Sequence, residues 1–292
     1  MRRFSEISPA AAALWYLSVM GIAMFCNYPI LAALTIAGGC MVFAMTAGKG
    51  HGREHIFFWL LFAVLALANP LTSHNGRTVL FVMNNNPVTL EALLYGLNSA
   101  ALIVGVLYLL RSFTMIMTAD RLLYLTGFLS PKLSLTLSMA LRFVPLFGRQ
   151  WQKISDAQRA MGLYRDNNFL DDLKGRMRIF SILVTWALEN GITTADSMEA
   201  RGYGCGRRSQ LRQYRTTFQD AVFMAADAVL TGVCVFAACG NGFRFGFYPD
   251  TFVEKPGIKG ICGIIAFGLL MLMPIITEWT VKLRWRYLQS RV

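Results

Sequence analysis

The sequence predicts an all-α, polytopic membrane fold with about six transmembrane helices and a cytoplasmic amphipathic helical module. Three observations carry that prediction. Of 292 residues, 55% are hydrophobic and only 15% charged, whereas ordinary soluble domains run about 45–50% apolar and about 25% charged. The apolar residues gather in blocks at 10–26, 30–47, 56–71, 90–110, 218–240 and 258–281. The 28 Lys and Arg, which exceed the 16 Asp and Glu and give a net charge of +12, keep to the segments between the blocks except for Lys259 at the edge of the last. A disordered basic tail is excluded by the long apolar runs.

Each block follows from local chemistry. Met1-Arg2-Arg3 before the first apolar run resembles the start of a signal peptide. No small-residue cleavage site precedes Asn27-Tyr28-Pro29 and more apolar blocks follow at once, so a retained first helix is expected. Pro29 marks the first turn, and Asn69-Pro70 closes the third block. The first three blocks are short for a bilayer that takes about 20 residues, which tilt or local thinning accommodates. Asn84-Asn85-Asn86-Pro87 reads as a turn cluster, with Thr89 and Glu91 capping the fourth helix. Ser130-Pro131 starts a helix that Pro145 is expected to kink.

Between 111 and 217 the pattern changes. Leu133–Leu141 and Ile179–Leu188 are apolar but interleaved with Arg, Lys, Asp and Gln, as in amphipathic helices at or below a membrane. The predicted organisation is therefore 10–110 with about four spans, 111–217 as the helical module, and 218–292 with about two spans and a tail. With the N-terminus inside, 24 of the 28 basic residues fall on the cytoplasmic side, 16 of them in the module. Lys and Arg are retained on that side, so both termini are expected in the cytoplasm. The module holds eight acidic residues, which leaves it at +8.

The module contains a repeat. Ser155-Asp156-Ala157-Gln158-Arg159-Ala160-Met161-Gly162 aligns with Ala195-Asp196-Ser197-Met198-Glu199-Ala200-Arg201-Gly202 at an offset of 40 residues. Each stretch ends a helical pattern, and Gly162 and Gly202 occupy the C-terminal cap position that favours glycine. Two like helix ends suggest two docking points. There a small Ala and a Gly permit close approach, and Arg201 reaches a carboxylate or helix C-terminus with its fixed fork of donors.

Met198-Glu199-Ala200-Arg201-Gly202-Tyr203-Gly204 resembles the second Ala-Arg-Gly motif of the T component of energy-coupling factor transporters, the CbiQ/EcfT family of vitamin and metal-ion importers. Asn69-Pro70-Leu71 with His74 to Leu80, Pro87-Val88-Thr89 and Ser138-Met139-Ala140-Leu141-Arg142-Phe143-Val144-Pro145 match in the same order, from about residue 10 to the last span. The resemblance implies a membrane scaffold with long cytoplasmic coupling helices. It implies two ABC-type ATPase subunits as partners, a separate membrane S component that binds substrate, and ATP-driven motion passed from the first to the second. It implies Ala200, Arg201 and Gly202 as one ATPase contact, and Ala160, Met161 and Gly162 as the other. In the second set Met161 stands where the family pattern has Arg. That contact is expected to rely on apolar packing, or on Arg159 or Arg165 for charge, and the two ATPases are then engaged asymmetrically.

Other chemistries find less support. Gly48-Lys49 has Phe43 where a GxxxxGK loop needs its first glycine. Nucleotide hydrolysis is therefore expected on partner chains and the chain is not read as an enzyme, with no catalytic residues and no cofactor. The six cysteines form no CxxC pair, so neither a disulfide framework nor a zinc site is expected. His51 and His55 flank Glu54 in what reads as a juxtamembrane loop, and no metal site is assigned there. Asp227 is an ionisable group inside an apolar block, a costly placement. It is expected to pair with a basic or amide group such as Asn98. The alternative is a self-contained secondary transporter with Asp227 as its ion-coupling site. Arg207, Arg208, Arg212 and Arg215 lie just before the fifth span and are read as contacts to the lipid bilayer, not to nucleic acid.

Overall fold

A computed structural model describes residues 4–48, 50–72, 78–83, 86–162, 169–206, 217–240, 242–243 and 257–289. His74, Asn84, Asn85, Arg165, Arg207, Arg208, Arg212 and Arg215 lie outside them. The chain divides into two compact units, Met1–Leu122 with Tyr214–Val292, and Leu123–Gln213.

The first unit carries the apolar helices. These are α1 (Pro9–Phe25), α2 (Pro29–Ala47), α3 (Gly52–Thr72), α4 (Leu90–Ile116), α8 (Phe218–Cys239) and α9 (Ile258–Gln289). Among the described residues, five helices are long and apolar enough to cross a membrane, namely α2, α3, α4, α8 and α9. α1 is apolar and shorter, at 17 residues. At 1.5 Å per residue it spans about 25 Å, close to the thickness of a hydrocarbon core. The chain is an all-α, multi-pass membrane protein, with one small hairpin that the sequence reading did not foresee. β1 (Val79–Met83) and β2 (Asn86–Thr89) pair antiparallel just before α4.

Several expected boundaries move. α3 begins at Gly52, so Glu54 and His55 stand in its first turn and not in a loop. Pro70 lies inside its last turn, and the Asn69 amide donates to the Ala92 carbonyl of α4 at 2.9 Å. Thr89 does cap α4, accepting from the Ala92 N–H. Glu91 does something else: its Oε1 accepts from the backbone N–H and the hydroxyl of Thr78, at 3.2 and 2.6 Å. It thereby fastens the residue that leads into β1 to the start of α4.

α1 is the hub of this unit. Lipid tails are as apolar as leucine, so packing and interhelical hydrogen bonds, not the hydrophobic effect, hold spans together. Three polar groups on α1 reach three different helices. Trp15 Nε1 donates to the Leu270 carbonyl of α9 at 2.8 Å. The Tyr16 and Ser112 hydroxyls, on α1 and α4, lie 2.7 Å apart. Ser18 Oγ donates to Asp227 Oδ1 on α8 at 3.0 Å. Around them Val19, Leu31, Leu109, Phe267 and Leu270 are fully buried. α2 and α4 cross almost backbone to backbone: a Cβ on Gly105 would stand 2.9 Å from the Ile36 nitrogen. A second cluster gathers Phe43, Phe58, Val104 and Tyr108.

The second unit is built differently. α5 (Ala119–Leu129) leads into it, and α6 (Pro131–Ala160) and α7 (Phe169–Ala200) are 30 and 32 residues long. Pro131 occupies the first turn of α6, where its missing N–H costs nothing. α6 continues through Pro145 as one helix. The two long helices meet edge to face through Phe147 and Trp186, with ring centroids 6.1 Å apart. Ile179 is buried, yet Leu133 and Val144 on α6 and Met177, Leu188 and Ile192 on α7 are exposed.

Candidate functional site

The repeated stretches end α6 and α7, and the structure gives them the same backbone. Gly162 and Gly202 both have positive φ, 69° and 80°. Each donates its N–H to the carbonyl three residues back, Gly162 to Arg159 at 3.0 Å and Gly202 to Glu199 at 2.8 Å. At the end of α7 the Tyr203 N–H also reaches the Met198 carbonyl at 3.0 Å, which completes the paired-bond glycine cap. A Cβ built on either glycine meets nothing within 4 Å. Space does not demand glycine here; the left-handed backbone does, at about 1–2 kcal/mol for any other L-residue.

The last residues of each repeated stretch are at the surface, although Gln158 within the first is buried. Ala200, Arg201 and Gly202 are exposed, as are Arg159, Ala160 and Gly162, and Met161 is 64% exposed. The ends differ in the residue at the cap position. α7 carries the exposed Arg201 there. α6 carries the Met161 thioether, with its basic residue, Arg159, inside the last turn. A cation at a helix C-terminus is favoured by the helix dipole, so Arg201 is supported in place and still free to turn outward. Tyr203 was not singled out from the sequence. It supplies the bond that closes the cap and is 47% exposed, and the signal for it was its position directly after a capping glycine.

The other polar candidates resolve into structural contacts. Arg111 Nε and Nη2 donate to both oxygens of Glu54, at 2.8 and 2.7 Å, tying α3 to α4. His55 Nδ1 lies 3.2 Å from the Tyr108 hydroxyl, and its ring meets Phe43 at 5.0 Å. Asp220 caps α8, its carboxylate accepting the Thr217 N–H at 2.9 Å. Asp227 is fully buried. Its partner is Ser18 and not Asn98, whose amide donates to Asn27 at 2.6 Å.

A family model for CbiQ, described as cobalt transport protein, matches residues 2–212. The chain belongs to the CbiQ family. That match runs through both repeated helix ends. Among individual relatives, the energy-coupling factor transporter transmembrane protein EcfT of Leuconostoc gelidum is 26% identical over 205 residues, 63% of this chain and 71% of that protein. EcfT 1 of Listeria monocytogenes is 29% identical over 157 residues, 53% of each chain. EcfT of Listeria innocua is 34% identical over 104 residues, 35% of this chain and 39% of that one. The chain thus spans about half, or less, of the length of the two Listeria relatives. As a CbiQ-family member it is a multi-pass membrane component of a transport system.

Proposed function

We propose that this CbiQ-family chain is the energy-coupling transmembrane subunit of an energy-coupling factor importer. It transmits ATP-driven motion of two ABC-type ATPase subunits to a separate S component that binds a vitamin or metal ion. The observation that carries this reading is the pair of exposed helix ends on α6 and α7, each closed by a glycine at positive φ. The names of the bacterial relatives support it.

The roles follow from the geometry. Arg201 enters a groove on one ATPase, where its planar fork pairs with a carboxylate or with helix-end carbonyls. Ala200 and Gly202 have no bulk to hold the surfaces apart. Ala160, Met161 and Gly162, with Arg159, meet the second ATPase, and Met161 fills an apolar recess there. Exposed Leu133, Val144, Leu188 and Ile192 form faces that slide against the S component by the small shear available to packed helices. Hydrolysis stays on the ATPases, and substrate choice stays on the S component. The basic excess of the module supports a cytoplasmic position for residues 123–213 and for both termini.

Copurification from native membranes with mass spectrometry of the attached chains tests the assignment. Two ATPase chains and a small membrane protein are expected; recovery of no ATPase sinks it. Orientation has its own test, because Cys205 is exposed just beyond the Gly202 cap. A membrane-impermeant maleimide is expected to label Cys205 in inside-out vesicles and not in intact cells. Labelling of Cys205 itself in intact cells, in a variant with Cys239 and Cys262 replaced, reverses the topology. The rival, a self-contained ion-coupled transporter acting through Asp227, predicts that no ATPase copurifies and that Asp227→Asn abolishes transport. The coupling reading predicts that Asp227→Asn, which keeps the shape and a partner for Ser18, transports normally.

A further inference from the structure

The contact between Asp227 on α8 and Ser18 on α1 is short of one hydrogen. Ser18 Oγ lies 2.9 Å from the Trp15 carbonyl oxygen and 3.0 Å from Asp227 Oδ1. A serine hydroxyl has one hydrogen to give, whereas a carbonyl oxygen and an ionised carboxylate oxygen only accept. With Asp227 ionised, both contacts draw on the same Ser18 hydrogen. With a proton on Asp227 Oδ1, each contact has its own: Asp227 donates to Ser18, and Ser18 donates to Trp15.

The second carboxyl oxygen points the same way. Asp227 Oδ2 is buried with no hydrogen-bond partner among the described residues. The hydroxyl of Thr231, one turn on along α8, is buried and also unpartnered, so it makes no bond to Oδ2. No cation compensates for a charge here. α1, which packs on this face, has no charged residue. On α8 the other charged residue is Asp220, whose carboxylate accepts the Thr217 N–H. On α9 the charged residues are Lys259, which sits over the Phe236 ring, and those from Glu278 onward. Glu278 accepts the Phe4 N–H. A bare carboxylate oxygen inside a bilayer bears a heavy desolvation cost; the carbonyl oxygen of a neutral acid bears much less. We propose that Asp227 is a proton-binding site, holding one proton on Oδ1 so that Asp227, Ser18 and Trp15 form a chain of neutral hydrogen bonds between α8 and α1. Trp15 extends that chain to α9 through its indole N–H on the Leu270 carbonyl. The proton does here what a bound cation does elsewhere, letting a buried acid join helices without a counter-ion from lipid or partner.

Infrared difference spectroscopy of the full-length chain in lipid vesicles at neutral pH tests the proposal. The unmodified chain is expected to show the carbonyl stretch of a protonated carboxylic acid. Asp227→Asn is expected to lose that band and no carboxylate band. Glu278→Gln, which removes the carboxyl that accepts the Phe4 N–H, is expected to leave it in place. Ser18→Ala is expected to keep the band and shift its frequency, because the acid loses the oxygen to which it donates. Should Asp227→Asn fail to fold, carbon-13 in the aspartate carboxyl groups of the unmodified chain is expected to move the band instead. Loss of carboxylate bands in Asp227→Asn would show an ionised Asp227 and overturn the proposal. So would an unmodified chain with no acid band, loss of the band in Glu278→Gln, or a band that stays put on labelling or in Ser18→Ala.

Discussion

The C-terminal ends of α6 and α7 close on the same kind of glycine turn and differ in the residue just before it. Both close with a glycine at positive φ, and both glycines donate to the carbonyl three residues earlier. Both are preceded by an exposed Ala. Yet the residue between Ala and Gly is Met161 on one and Arg201 on the other. The difference teaches that shape and chemistry are set separately here. The glycine fixes how the end projects, and the residue before it fixes what the end can bind. A groove that accepts Arg201 needs acceptors for a guanidinium, whereas one that accepts Met161 needs a dry pocket. Two ends of one shape and unlike chemistry suit two non-identical ATPases.

Substitutions can break or sharpen that comparison. The largest effect is expected from Arg201→Ala. Desolvated interface arginines count among binding hot spots worth at least about 2 kcal/mol. Titration of detergent-solubilised protein with its ATPases should show a loss of about thirtyfold or more for one of them. If only Met161→Ala lost binding, the assignment of Arg201 as the principal anchor would fall.

Met161→Arg gives both ends the same Ala-Arg-Gly ending. It is expected to admit the Arg201-binding ATPase at both, doubling that chain in copurified complexes at the expense of the other. Unchanged stoichiometry would show that something besides the cap residue selects the partner.

Gly162→Ala and Gly202→Ala are expected to cost about 1–2 kcal/mol each, because both force a Cβ into the left-handed region. Hydrogen exchange should show faster opening of the last turn of α6 and of α7 to similar degrees. A large inequality would end the claim that the two caps are equivalent. The smallest effect is expected from Met161→Ala, about 1 kcal/mol or roughly fivefold in affinity for the second ATPase. The side chain is exposed in the free chain and gains only the burial of a few methylene-sized groups on docking.

The sequence was most legible where one kind of signal ran long. The apolar blocks located α1, α2, α4, α8 and α9 closely at their starts, because a helix in a bilayer must be apolar over most of its length. The ends were less legible. α4 runs on to Ile116 and α9 to Gln289, since a helix does not stop where its hydrophobicity does. α3 starts early for a related reason: Glu54 is stabilised there by Arg111, 57 residues away, and no local pattern reports such a partner. The hairpin of β1 and β2 was hidden by Asn and Pro residues that read as turn.

The repeat was visible because capping is local: four or five residues decide whether a helix ends on a left-handed glycine. The sequence by itself determined the apolar helices, the amphipathic character of α6 and α7, and the two glycine caps, all fixed by interactions within a few residues. Only the tertiary structure decided what the buried polar groups do. Asp227 meets Ser18 across 209 residues, and Trp15 meets Leu270 across 255. Those pairings depend on which helices become neighbours and at what rotation. Inside a membrane many apolar faces pack almost equally well, and the few polar groups that must find partners choose among them.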